Sequence, residues 1–170
     1  MNKNLKQFVF LIGLLIMIAF GFIALAKNQN MITIKEGNLN KTPYELELGK
    51  YQDSDCGMVI DDFSYVSQVI APDGKTWFFH DHGGMAHWLL NKDFKENAVI
   101  WVMSKDTKKY IDGRKAWYSR TDLTPMEYGF GAYEIKQNGF VSFTEMVLLM
   151  ARGEHLGNPQ IKAELLKGKE

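Results

Sequence analysis

The chain has only one cysteine, Cys56, among its 170 residues, so it cannot form an internal disulfide bond. It also has no excess of either charge, because twenty Lys and Arg residues balance twenty Asp and Glu residues. Proteins that bind nucleic acids usually carry a basic patch that neutralises phosphates. The composition therefore gives no indication of a nucleic-acid partner. The hydrophobic content of 46% is ordinary for a globular protein, and the length suits one domain or two very small ones.

A single long apolar run stands at the N-terminus. Residues 8–26, FVFLIGLLIMIAFGFIALA, contain no charge, and a membrane-spanning helix needs about 20 apolar residues. Lys3 and Lys6 precede the run, which predicts a cytoplasmic N-terminus and an exported remainder. Residues 24–26, Ala-Leu-Ala, also resemble a signal-peptidase site, so a cleaved signal is the alternative. Both interpretations place residues 27–170 outside the cytoplasmic membrane, either anchored to it by one span or released into the periplasm.

Hydrophobic patterning predicts an α+β fold for the exported part. Residues 64–81 alternate around a Pro-Asp-Gly turn, as in a β-hairpin. Residues 83–94 have helical spacing, and residues 97–104 are rich in β-branched and aromatic side chains, as in a strand. Residues 115–120, 126–135 and 140–153 read as strand, strand and helix, without an evident final strand. The predicted architecture is two small ββαβ units packed together, the second of them lacking an evident last strand.

These patterns divide the chain into four segments. Residues 1–26 form the anchor or signal, residues 27–43 a polar linker, residues 44–158 the exported domain and residues 159–170 a polar tail or short helix.

The lone cysteine belongs to the segment Asp55-Cys56-Gly57-Met58. An unpaired cysteine in an exported protein indicates either a reactive thiol or a metal ligand. The alternative is a buried, inert thiol, because free cysteine packs as a small hydrophobic residue. If the segment is extended, Cys56 and Met58 point to one side. A thiolate and a thioether together favour Cu(I) over hard ions.

Three of the four histidines lie in the segment HDHGGMAHW, residues 80–88. Met85 and His87 are two residues apart and can share an ion only outside a regular helix, since two helical residues turn the chain by about 200°. The glycines at 83 and 84 permit irregular backbone there. The alternatives are that Met85 belongs to the core and that His80 and His82 are solvated loop residues. The segment suggests a metal site where a loop enters a helix.

Zinc fits the sequence less well than copper does. A structural zinc site requires four Cys or His ligands, usually with paired cysteines. The three histidines could serve a catalytic zinc in number, but no His-Glu-x-x-His pattern is present. The methionines beside both candidate segments favour copper in its reduced state.

Several stretches in order resemble the NosL family, copper-binding accessory proteins of nitrous oxide reductase. The matching stretches lie within residues 51–152: DCGMVI, GKTWFFHDHGGMAHWL, AVIWVMSKDTKKYIDGRKAWYSR, TPMEYGFGAYE and FVSFTEMVLL. Three features depart from the family pattern. Phe79-His80-Asp81 stands where the family often has Phe-Asp-Asp, so the extra His80 and His82 either enlarge the site or take no part in it. Many members carry a lipid anchor in place of an apolar segment, and Gly83-Gly84 replaces a stretch that can hold a second cysteine.

The resemblance implies a periplasmic protein that binds one Cu(I) and delivers it to nitrous oxide reductase. It implies two ββαβ units, as in organomercurial lyase. The ligands it implies are Cys56 and Met58 together with Met85 and His87, with Met126 as a weaker candidate. A copper exporter or another copper carrier is the implied donor, and the N-terminal segment is the contact with the membrane.

Transfer of copper by ligand exchange needs no covalent chemistry, so the sequence predicts no enzymatic activity. Two other functions remain open. One is a thiol-dependent or organomercurial-lyase-like enzyme in which Cys56 is the nucleophile. The other is a non-catalytic interaction module that uses neither Cys56 nor His87.

Overall fold

The computed structural model describes residues 3–27 and 31–167 of the chain. These residues fall into two units, with the division at residue 31, and each is described by itself. Residues 1–2, 28–30 and 168–170 lie outside the described residues. The start of the predicted anchor, part of the predicted linker and the end of the predicted tail are therefore not described.

The described residues form helices and short strands that confirm the α+β class. The helices are α1 (Lys3–Lys27), α2 (His82–Leu90), α3 (Phe143–Arg152) and α4 (Pro159–Leu165). The strands are β1 (Ile34–Lys35), β2 (Ser67–Ile70), β3 (Thr76–Phe79), β4 (Val99–Met103), β5 (Tyr110–Asp112), β6 (Trp117–Tyr118), β7 (Ala132–Tyr133) and β8 (Val141–Ser142).

The N-terminal unit consists of helix α1, which contains the apolar run. The described apolar side chains from Phe8 to Ile23 are mostly exposed; Phe10, for example, is 73% exposed. Within the described part of the chain, no helix combines the length and apolar character that crossing a membrane requires. The N-terminal anchor or signal stays a prediction.

The larger sheet carries the hairpin that the sequence predicts. Its five strands are antiparallel in the order β1-β3-β2-β4-β5, and Val69 of β2 lies opposite Trp77 of β3. The turn between them closes through the Ala71 amide, which donates to the Lys75 carbonyl at 2.8 Å. Gly74 takes the left-handed conformation there, with φ of 89°. The predicted order of strand, strand, helix and strand is confirmed for β2, β3, α2 and β4.

The second half of the domain differs from the prediction by one additional strand, β8, at the start of the predicted helix. Its sheet has three antiparallel strands in the order β7-β6-β8, and all three precede helix α3. No described strand follows α3; the chain continues into α4 instead. The sequence explains why the helix begins later than predicted. Ser142 caps α3 by accepting a hydrogen bond from the Glu145 amide, and a capping residue has extended backbone, so Val141 and Ser142 form a short strand before the helix.

The two halves share one hydrophobic core. Helices α2 and α3 pack against each other, and both contribute to a buried cluster with side chains of the two sheets. Phe79, Met85, Tyr118, Phe130 and Met146 are all fully buried in it. A smaller cluster lies on the other side of the hairpin around Phe78 and Ile60.

The predicted linker is folded over much of its length. The larger unit begins at Ile32, and strand β1 pairs with β3. The Trp101 indole donates to the Lys41 carbonyl at 2.8 Å, which fixes the segment to β4. The segment has few large apolar groups, so its order comes from backbone and side-chain hydrogen bonds that composition does not reveal. In the predicted tail, Pro159–Leu165 forms α4, in line with the short-helix alternative.

Candidate metal centre

The loop of residues 53–58 is built around the side chain of Asp53. One carboxylate oxygen accepts the amides of Asp55 at 2.8 Å and Cys56 at 3.1 Å. The Asp53 carbonyl accepts the Gly57 amide at 3.0 Å, and Gly57 has φ of 76°. A left-handed residue suits glycine because a Cβ is penalised there. Asp, Cys and Gly at these spacings therefore make a tight turn that presents the cysteine at its tip.

Ser54 fixes this loop to the end of strand β3. Its amide donates to the Phe78 carbonyl at 2.8 Å, and its hydroxyl accepts the Phe78 amide at 3.0 Å. Ser54 therefore pairs with the edge of the sheet at a single residue, close to the end of β3, after which His80 follows. This pairing brings residues 53–56 beside His80, although about 24 positions separate them along the chain.

Asp53 and His80 form a buried hydrogen-bonded pair. The second carboxylate oxygen of Asp53 accepts both the backbone amide of His80 at 2.9 Å and its Nδ1 at 2.7 Å. The two side chains are only 2% and 7% exposed. Burial alone would raise the pKa of Asp53, but the hydrogen bonds from His80, Asp55 and Cys56 lower that pKa below its ordinary value.

The same carboxylate acts on the imidazole. Burial alone would lower the pKa of His80, but the hydrogen bond and the negative charge of Asp53 raise that pKa above its ordinary value. The other ring nitrogen, Nε2, is buried and has no hydrogen-bond partner among the described residues. Buried polar atoms normally have partners, so His80 retains unused donor capacity.

Cys56 completes the cluster from the solvent side. Its Sγ lies 3.9 Å from Nδ1 of His80, and the residue is exposed. Ligand atoms of Asp53, Cys56 and His80 all lie within 4.8 Å of one another. Desolvation and the nearby carboxylates of Asp53 and Asp55 raise the pKa of the Cys56 thiol. The group is therefore a neutral thiol near pH 7, which is the less easily oxidised form. The alternative of a buried, inert thiol is wrong.

Cys56 and Met58 do not meet the extended-chain condition on which their pairing rested. Cys56 lies in a turn, and Gly57 between them is left-handed. Met58 is nonetheless 46% exposed, so its thioether is accessible on the same loop as the thiol.

Met85 and His87 lie on different faces of one regular helix. Helix α2 begins at His82, so the irregular backbone that would let both residues bind one ion is not formed. Met85 is fully buried in the main core. The imidazole of His87 is 58% exposed, and its Nδ1 lies 4.0 Å from a carboxylate oxygen of Asp55. His87 therefore lies at the open side of the loop, whereas Met85 packs against apolar neighbours.

Met126 is tied to the start of α2 through its backbone. Its amide donates at 2.9 Å to Asp81, a fully buried residue whose other carboxylate oxygen caps α2 by accepting the Gly83 and Gly84 amides. Burial raises the pKa of Asp81 above its ordinary value. The side chain of Met126 is half-buried, and its role as a ligand stays a prediction.

The glycines in the histidine segment do not form irregular backbone, and one of them is required for packing. Gly83 and Gly84 both lie in α2. A Cβ on Gly83 would lie 2.5 Å from Cβ of Tyr128, whereas a Cβ on Gly84 would meet nothing closer than 3.9 Å. Gly83 is therefore required where Tyr128 crosses the helix, and Gly84 is not.

His82 is a structural histidine. It is fully buried, its Nδ1 lies 2.7 Å from the Ser67 hydroxyl, and the rings of Tyr65 and Tyr118 pack against it edge-on. Burial and the positive charge of Lys105 lower its pKa to about 3. The interpretation of His82 as a solvated loop residue is wrong, and so is that of His80.

The buried imidazole of His82 predicts acid sensitivity. Below pH 6.5 the unfolded chain binds a proton at this residue that the folded chain does not bind until about pH 3. The free energy of unfolding should therefore decrease as the pH is lowered through this window, by about 1 kcal/mol from pH 6 to pH 5. The measurement is urea denaturation at several pH values. His82→Asn should have a flatter profile than the unchanged chain, and the exposed His87→Asn variant should not. Equal slopes for all three proteins would contradict the prediction.

Asp53 is the functional candidate that the sequence did not single out. Its position three residues before Cys56 was a usable signal, since Asp often folds a turn by accepting amides two and three residues ahead. Its contact with His80 depends on the pairing of the loop with β3, which sequence spacing does not show.

We compared the chain with known proteins in three ways, and it matches no family model, no curated protein and no solved structure.

Proposed function

We propose that this protein binds one Cu(I) ion outside the cytoplasm and delivers it for the assembly of nitrous oxide reductase. The observation that carries the proposal is the cluster of Asp53, Cys56 and His80, whose ligand atoms lie within 4.8 Å of one another. The recipient and the direction of transfer come from the resemblance of residues 51–152 to the NosL family.

The donors on the open side of the cluster suit a monovalent soft ion. The thiol of Cys56 is exposed, and the thioether of Met58 is 46% exposed on the same loop. Sulfur ligands select Cu(I) over hard cations. His80 adds an imidazole 3.9 Å from the sulfur, and His87 adds a second, accessible imidazole near Asp55. The proposed copper ligands are Cys56 and Met58 with one of these two imidazoles, while Met85 stays in the core.

The exposure of the loop supports transfer rather than storage. A courier has to let the acceptor's ligands reach the ion before its own ligands leave. Cys56 and Met58 face solvent, whereas Asp53 and His80 form the buried wall behind them. An acceptor therefore has access to the ion from one side while the wall holds the loop in place.

The proposal also covers the attachment of the chain to the membrane and the source of its copper. The described apolar side chains of α1 are largely exposed, which supports attachment of the chain to the outer face of the cytoplasmic membrane. A copper exporter or a second carrier is the proposed donor. The likeness of the domain to the two ββαβ units of organomercurial lyase also stays part of the proposal. Among the described elements, β2, β3, α2 and β4 have that order.

The geometry gives little support to a thiol-dependent enzyme. In a Cys-His-Asp arrangement, one ring nitrogen receives the thiol proton and the other donates to the carboxylate. In this structure, Nδ1 of His80 faces both Cys56 and Asp53. The raised pKa of Cys56 also disfavours the reactive thiolate. We therefore propose a binding protein without catalytic activity.

The proposal is tested by anaerobic titration of the full chain in detergent with Cu(I), in competition with a chromogenic Cu(I) chelator. We expect one tight equivalent, X-ray absorption that shows sulfur neighbours, and loss of copper from the chain when copper-free nitrous oxide reductase is added. If the chain removes no more Cu(I) from the chelator than a control without the protein does, the proposal of copper binding is contradicted. Tight binding without transfer contradicts the delivery role alone.

A further inference from the structure

We propose that Asp53, Cys56 and His80 also bind one Zn²⁺ ion, in competition with Cu(I). This inference rests on the proposed function only in that the two ions share Cys56. Copper would use the sulfur atoms on the open side of the loop, whereas zinc would use the three donors that converge between the loop and the end of β3.

The distances fit a zinc ion with small shifts. Zinc binds cysteine sulfur at about 2.3 Å and histidine nitrogen at about 2.0 Å, which puts the two ligand atoms about 3.5 Å apart at a tetrahedral angle. Sγ of Cys56 and Nδ1 of His80 are 3.9 Å apart. The Asp53 oxygen and Nδ1 are now 2.7 Å apart, a hydrogen-bond distance. They would separate to about 3.3 Å around an ion, which would take the place of the shared proton.

The charge of the donor set matches a divalent ion. The carboxylate of Asp53 and the thiolate of Cys56 together carry two negative charges, and a neutral imidazole adds none. Zn²⁺ gives a neutral cluster, whereas Cu(I) bound by the same three groups would leave one negative charge. Asp53 and His80 are at least nine-tenths buried, and an uncompensated buried charge is costly. The three-donor set therefore favours zinc, and copper is favoured where Met58 replaces the carboxylate.

The donor chemistry and the open side point the same way. Carboxylate, imidazole and thiolate are all established zinc ligands, and three protein ligands with a fourth open position are typical of accessible zinc sites. Cys56 is exposed, so water or another molecule can occupy that position. The sequence disfavoured zinc because it offers too few cysteines and histidines, and the carboxylate supplies the missing ligand.

The consequence is an ordered exchange. A zinc-loaded chain has its thiolate occupied, so copper can enter only as zinc leaves. Because the two ions differ in their need for Asp53, removal of its charge should separate them. This gives a test in which the same variants are measured with both metals.

The zinc experiment uses the full chain in detergent and a chromophoric zinc chelator as competitor. We expect one equivalent of Zn²⁺, displaced by equimolar Cu(I). Asp53→Asn should weaken zinc binding at least about tenfold, since loss of even an outer-shell partner of a metal costs that much. It should weaken Cu(I) binding by a smaller factor, because the amide oxygen of asparagine can still accept the Asp55 and Cys56 amides that fold the loop. The matched control is Asp55→Asn, which removes an exposed carboxylate on the same loop and should change zinc affinity less than about threefold.

Asp53→Asn also removes an acceptor for the His80 amide, so a loss of zinc binding in this variant would also follow from displacement of His80. A second measurement therefore uses the unchanged protein. Co²⁺ bound to it should give the absorption of a four-coordinate ion and a sulfur-to-cobalt charge-transfer band. Absence of that band, absence of zinc binding, or equal losses in Asp53→Asn and Asp55→Asn would overturn the inference. Copper binding that persists in those cases leaves the proposed function standing. Zinc binding without copper binding would overturn the proposed function and leave this inference standing.

Discussion

Replacing Cys56 by serine should lower the affinity of the chain for Cu(I) at least about 100-fold, which is about 2.8 kcal/mol. The thiol is the only one in the chain and the only group in the cluster that can supply an anionic soft ligand. A serine hydroxyl is hard and stays protonated at neutral pH. The fold should tolerate the change because Cys56 is exposed and its packing is slight. Competition with a chromogenic chelator measures the affinity, and thermal unfolding checks the fold.

The same titration distinguishes the sulfur ligands from other methionines. Met58→Leu should weaken Cu(I) binding about tenfold because it removes the accessible thioether on the loop. Met103→Leu is the matched control, since Met103 packs against the smaller core cluster and is distant in sequence from the loop. An unchanged affinity in Cys56→Ser would show that copper does not bind at this cluster. Equal losses in Met58→Leu and Met103→Leu would show that the effect of Met58 is not that of a ligand.

Replacing Gly83 by alanine should destabilise the domain by about 2 kcal/mol, whereas replacing Gly84 should stabilise it by up to about 1 kcal/mol. The added methyl at position 83 would lie 2.5 Å from Cβ of Tyr128. That atom is fixed to the backbone and cannot rotate away, and overpacking of this kind costs about 1–3 kcal/mol. At position 84 the nearest atoms are 3.9 Å away, so only the higher helix propensity of alanine remains.

Urea denaturation of the two variants beside the unchanged chain measures this difference. The two changes are chemically identical and adjacent in α2, so the main difference between them is the distance of the added methyl from Tyr128, 2.5 Å at position 83 and 3.9 Å at position 84. A double variant completes the test. Gly83→Ala should cost less stability when it is made in the Tyr128→Gly variant than when it is made in the unchanged chain, because the Cβ that it would meet is then absent. If Gly83→Ala is as stable as Gly84→Ala, the close approach of Tyr128 is not a constraint on the helix.

The elements that local patterns encode could be predicted, and those that depend on distant pairing could not. The hairpin of β2 and β3 follows from alternation around a Pro-Asp-Gly turn, and α3 from its apolar spacing and its Gly153 end. Strand β1 is only two residues long and is held by pairing with β3. No local pattern distinguishes such a strand from a linker.

The candidate site shows the same division. Cys56 is conspicuous because it is the only cysteine, and the histidine segment because three imidazoles are crowded there. The sequence could not show which of the three histidines faces Cys56, since that depends on the residue at which α2 begins. Asp81 caps the helix from the position before His82, which puts Met85 into the core. His80 therefore remains in front of the helix, within reach of the loop.

The Asp81 cap has a consequence for how an ion is selected. Two consecutive residues, His80 and Asp81, are held from both directions: His80 by Asp53, and Asp81 by the start of α2 and the Met126 amide. His80 and its partner Asp53, two donors of the cluster, are thus ordered before any cation arrives, and their ordering entropy is lost during folding. The exposed tip of the cysteine turn is the part freest to adapt its reach. Differences in ionic radius should therefore be absorbed mainly by movement of that tip, beyond the small separation of Asp53 from His80 that any ion requires.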